Sequence, residues 1–134
     1  MRIIKALALI LGGIILFFFY ISSNSFENGR KSQEGATKGN LGAIRTALSM
    51  YYEDMGKNYP RDFNALTIGG NYMSVIPSTR LKALHSPSSA VLQGKVSDDA
   101  GGWLYNNIVG DLNFGKIAVN CTHTDMRGAK WESY

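Results

Sequence analysis

Cysteine is almost missing from this chain. Cys121 is the single one in 134 residues. That excludes an intrachain disulfide, and the paired Cys/His spacing of a zinc-binding motif is missing too. Histidine is scarce as well. His85 and His123 lie far apart, and neither has a signalled partner to serve as a general base. Excess charge of one sign is also small. The formal net charge is +4, and without Arg2 and Lys5 there are 12 basic residues against 10 acidic ones, about +2. The basic residues do not cluster, so nucleic acid is excluded as a partner. There is no internal repeat and no low-complexity tract. A domain of this size can still bury a core without a staple.

What is present begins with residues 1–25. Arg2 and Lys5 precede an uncharged run, Ala6–Ile21, followed by Ser22, Ser23, Asn24 and Ser25. A basic flank, a short apolar block and small polar residues describe a secretory signal, with a cut ahead of Phe26. The run is slightly short for a transmembrane span, but Ile3 and Ile4 lengthen it, so an uncut N-terminal anchor is the alternative. Either reading places the remainder outside the cytoplasm, in the periplasm or on the cell surface.

The stretch Leu41–Pro60 organises the rest. Leu41, Ile44, Leu48, Tyr51 and Met55 recur at steps of three and four, one face of an α-helix. Gly56 suits a left-handed stop, and Pro60 cannot continue the helix. On the opposite face stand Gly35, Gly39, Gly42 and Thr46. Two readings of that stripe stay open. Glycine disfavours helix, so the helix starts near Asn40; or the small residues form a groove where another helix approaches closely. Residues 26–56 are therefore expected to be this helix with a polar leader, and residues 57–134 a loop and an antiparallel sheet.

Between Lys57 and Ala90 the pattern is irregular and reads as a long loop on the sheet edge. Within it Asp62–Leu66 reads as one helical turn capped by Asp62, and Tyr72, Val75 and Ile76 as core residues. Ala90–Val96, Gly101–Asn107 and Phe114–Cys121 are strand-like, with Gly110–Asp111 as turn chemistry between the last two, and Ala129–Tyr134 closing the sheet. The expected fold is α+β: one N-terminal helix packed on a small antiparallel β-sheet. Candidate chemistry is thin. Cys121, His123 and Asp125 alternate along one strand and can be read as a nucleophile group, although alternate residues share a face for ordinary reasons. Asp98, Asp99 and Asp111 fall short of a calcium loop. Asn120-Cys121-Thr122 matches the glycosylation pattern. No catalytic residue, cofactor or metal is assigned, and the chain is not read as an enzyme.

KSQEGATKGNLGAIRTALSMYYEDMGKNYP, from Lys31 to Pro60, resembles the second half of the long helix of type IV pilins and type II secretion pseudopilins, with its turn. The resemblance rests on Glu34, Ala36, Leu41, Leu48, Tyr51, Tyr52, Asp54, Gly56, Tyr59 and Pro60. Tyr72–Pro77 resembles the Tyr-x-x-x-Ile-Pro segment before the pilin sheet, and Gly101–Asn107 its Gly-Trp-x-Tyr strand. The processed Phe-Thr-Leu-x-Glu start of a pilin has no counterpart in this sequence. The chain thus resembles the globular half of a split type IV pilin, the geopilin domain 2 type. That resemblance implies a structural pilus or pseudopilus subunit paired non-covalently with a short N-terminal pilin chain and with other pilus subunits. A periplasmic chaperone or a cargo-recognising adaptor is the alternative. The expected partner-binding residues are Gly35, Gly39, Gly42, Thr46 and Phe26.

Overall fold

The computed structural model describes residues 2–81 and 83–134, with the backbone alone for residues 2–9. The side chains of Arg2 and Lys5, the basic flank of the signal reading, lie outside the described ones. The order of elements is a long helix, α1 (Arg2–Asp54), a 3₁₀ turn at Phe63–Leu66 and another at Ile68–Gly70. Strands β1 (Val91–Gln93), β2 (Trp103–Tyr105) and β3 (Ile117–Val119) follow, then a 3₁₀ turn at Trp131–Ser133. The layout is α+β, as the sequence predicts. Two compact units divide the chain, residues 1–32 and 33–134.

In the first unit the apolar side chains from Ile10 to Ile21, and Phe26, are exposed. Among the described residues one helix, α1, is long and apolar enough to cross a membrane by length and composition. The helix does not start near Asn40: it is already formed across Gly35, Gly39 and Gly42 and back to Arg2. The polar stretch 26–40 is helix rather than a loose leader.

The second unit holds the core. Leu41, Ile44 and Leu48 are buried as their spacing predicts, joined by Ala47. Tyr51 is half-buried, its ring 5.3 Å from that of Tyr72. Met55 does not belong to the stripe. The helix ends at Asp54, and Met55, whose amide still donates to the Tyr51 carbonyl at 2.9 Å, is exposed. The stop itself is as expected: Gly56 has φ 63°, and the Lys57 amide donates back to the Tyr52 carbonyl at 2.8 Å.

The buried face also runs backward through polar residues. Glu34 and Thr37 are buried because each is satisfied: the Met126 amide donates to Glu34 Oε2 at 3.1 Å and the Arg80 amide to Thr37 Oγ1 at 2.7 Å. Asn40 donates to the Ser78 carbonyl at 2.9 Å. The long loop is thus pinned to the helix as well as to the sheet. Asp62 caps its turn by accepting from the Asn64 amide at 3.0 Å. Tyr72 and Ile76 pack on the core, but Val75 is exposed.

The sheet is mixed, not antiparallel. β2 pairs antiparallel with β3, Leu104 opposite Ala118, but β1 pairs parallel with β2, Leu92 opposite Leu104. The parallel return is short. Gly101 and Gly102, at φ 83° and 77°, make it sterically accessible, and a Cβ on Gly102 would collide with the Ala90 carbonyl. The segment Ala129–Tyr134 does not add a strand; it closes as a 3₁₀ turn that buries Trp131. Trp103 and Tyr105 fill the core with their polar tips paired, to the carbonyls of Pro77 at 2.7 Å and Pro60 at 2.6 Å.

Candidate functional site

Three segments meet beside the C-terminal end of β3. The first is a turn in which the amides of Leu84 and His85 both donate to the Leu81 carbonyl, at 2.6 and 2.8 Å. Buried Leu81 and half-buried Leu84 anchor it, and His85 is carried inward. The second is the turn Ser97–Ala100, organised by the buried side chain of Asn120. Asn120 Oδ1 accepts from Ser97 Oγ at 2.7 Å and from the Asp98 amide at 3.2 Å, and its Nδ2 donates to Asp98 Oδ1 at 2.6 Å. Asn120 is thereby committed inside the fold, and its match to a glycosylation pattern has no exposed amide behind it. The third segment is the exit from β3, Cys121–His123, held because the Trp131 amide donates to the His123 carbonyl at 3.0 Å.

These segments bring together His85, Asp99, Cys121 and His123. Their ligand-type atoms all lie within 4.8 Å of one another. His85 Nε2 is 3.3 Å from Cys121 Sγ, which is 3.6 Å from His123 Nδ1. Asp99 Oδ1 is 3.4 Å from each of the same two nitrogens. Asp99 reaches this position from a left-handed backbone, φ 60°, which Asp tolerates better than most residues. The Thr122 amide donates to Asp99 Oδ1 at 2.8 Å. That amide bond lowers the Asp99 carboxyl pKa against the opposing effect of burial, and the neighbouring histidines act in the same direction. Burial pushes the Cys121 thiol up, and the Asp99 carboxylate adds to the rise. Gly101 completes the housing: a Cβ there would stand 3.0 Å from His85 Cβ.

Chemically, the set offers one sulfur, two imidazole nitrogens and one carboxylate oxygen to a single point. A nucleophilic cysteine would need a depressed thiol pKa and access. Cys121 is fully buried and shifted the other way. Asp125 does not join Cys121 and His123 as a strand-face triad would have it. It accepts instead from Lys38 Nζ and Tyr134 Oη, both at 2.6 Å. Asp98, Asp99 and Asp111 do not form a common oxygen cage; Asp111 pairs with Lys95 at 2.7 Å and accepts from Asn106 at 3.0 Å.

The partner-binding candidates lie elsewhere. Gly35, Gly39, Gly42 and Thr46 are exposed on α1, and nothing lies within 4 Å of where a Cβ on any of the three glycines would sit. Phe26 is exposed in the first unit. Sequence reasoning missed the His85–Asp99 half of the cluster. Cys121 and His123 form a visible C-x-H pair, but no spacing ties them to residues 22 and 36 positions upstream of Cys121. Comparison with protein-family models, curated proteins and solved structures finds no match to this chain.

Proposed function

We propose that this protein is an exported structural subunit of a type IV pilus or pseudopilus, pairing non-covalently with a short N-terminal pilin chain. One observation carries the reading. The C-terminal half of a single 53-residue helix buries Leu41, Ile44 and Leu48 in a small α+β unit, while its other face, Gly35, Gly39, Gly42 and Thr46, is left bare. A bare helical face suits the close approach of a second helix. The sequence resemblance over Lys31–Pro60 supports the same assignment, and in the first unit Phe26 offers an exposed apolar side chain of its own. A split subunit replaces a covalent link with interface energy, against roughly 4–15 kcal/mol of lost translational and rotational freedom. That demand favours a closely packed surface.

A second reading rests on the apolar stretch of α1, which is long and apolar enough to cross a membrane by length and composition. Here the apolar block is retained and anchors the subunit itself. The chaperone and cargo-adaptor alternatives share the exported location but not the fibre.

Gly39→Leu tests the pairing. It raises helix propensity and leaves the buried stripe untouched, so folding should survive. Co-purification with the short pilin should be abolished. Unchanged binding by Gly39→Leu rules out the glycine face, and fibres formed by this chain alone overturn the paired subunit.

A further inference from the structure

The cluster at the end of β3 gathers four ligand-type atoms from three separate segments. Cys121 Sγ faces two imidazole nitrogens, His85 Nε2 at 3.3 Å and His123 Nδ1 at 3.6 Å. Asp99 Oδ1 closes the ring from the other side, 3.4 Å from both nitrogens. A tetrahedral zinc ion with bonds of roughly 2.0–2.3 Å holds its ligand atoms about 3.3–3.6 Å apart. Four of the six ligand-atom separations fall at these lengths, and all six lie within 4.8 Å. We infer that His85, Asp99, Cys121 and His123 form a binding site for one Zn²⁺ ion.

The donor set narrows the choice of metal. One thiolate and two imidazoles poorly suit Ca²⁺ or Mg²⁺, which take oxygen ligands. Copper electron-transfer sites combine His₂Cys with a weak, long axial ligand, whereas the fourth group here is a carboxylate at the same spacing as the rest. The surroundings fit a held site. The Thr122 amide orients Asp99, and the missing Cβ of Gly101 makes room for His85. The His123 side chain is 47% exposed and that of Asp99 33%, so the ion has a route in, with Cys121 buried beneath. Once bound, the ion ties together the Leu81–His85 turn, the Ser97–Ala100 turn and the exit from β3. It would cross-link loops in a chain whose lone cysteine cannot form an intrachain disulfide. None of the four ligands lies on α1, so this inference and the pilus reading stand or fall separately.

The test uses the untagged full chain, reduced and stripped of metal. Titration with Zn²⁺ followed by calorimetry should saturate at one ion per chain and raise the thermal midpoint. Co²⁺ should show the visible absorption of a tetrahedral site together with sulfur-to-cobalt charge transfer, both displaced by Zn²⁺. Cys121→Ser should remove the charge-transfer band. His123→Gln, at an exposed position, should keep the circular dichroism of the wild type. It should weaken Zn²⁺ binding by more than about 100-fold, beyond the 10–100-fold typical of losing an outer partner. Absence of saturable Zn²⁺ binding by the folded wild-type chain at micromolar concentration overturns the site. So does binding that survives His123→Gln and Asp99→Asn undiminished.

Discussion

Asp125 has no exposed side-chain surface, yet it is held charged. Burial alone would favour the neutral acid. Lys38 Nζ and Tyr134 Oη at 2.6 Å, and the amides of Arg127 and Ala129 at 2.8 and 2.9 Å, outweigh it and hold the carboxyl far below its usual range. For Lys38 burial again opposes the charged form, and the bonds to Asp125 and Tyr134 raise its pKa despite it. A carboxyl whose folded pKa is depressed contributes stability above its unfolded value of about 3.9, and that contribution is lost as pH falls through the folded value. Urea unfolding from neutral pH down to about 2 should therefore show a falling acid limb. Asp98, Asp99 and Asp111 are shifted in the same direction and add to it. Asp125→Asn should be less stable at neutral pH, with a flatter limb; an unaltered limb would contradict this account. Sequence reading placed Asp125 beside Cys121 and His123 because strand periodicity is local. Its actual partner, Lys38, is 87 residues away.

At the scale of elements, α1 was the most legible. The three-four spacing identified Leu41, Ile44 and Leu48 as core, and Gly56 as the stop, because both signals act within a few residues. Leu48→Ala should cost roughly 2–5 kcal/mol, the usual range for truncating a buried leucine. Thermal or denaturant unfolding of the full chain measures it, and a loss below about 0.5 kcal/mol would mean that the stripe does not face a packed core. The start of the helix was less legible. Glycine propensity argues for fraying, but propensity is a weak prior that tertiary contacts override, and Glu34, Thr37 and Lys38 all make such contacts. Strand direction was not legible. The three strands are three residues each, too short for alternation to specify pairing, and the parallel return depends on Gly102 passing close to Ala90.

For the whole molecule, the export reading predicts that residues 1 to about 25 are removed. Mass spectrometry of the protein from its native host decides it; an intact N-terminus would support the anchor reading. The exposed apolar side chains from Ile10 to Ile21 fit either outcome, because a signal and an anchor share length and composition. By itself the sequence determined the class of fold, the buried helix face, its stop and the capped turn at Asp62, since each follows from contacts or dihedral preferences between near neighbours. Only the tertiary structure decided the mixed sheet, the burial of Glu34 and Asp125, and the meeting of His85, Asp99, Cys121 and His123. Those depend on which distant segments pack together, and no local period encodes a contact between a loop turn at His85 and a strand exit at Cys121.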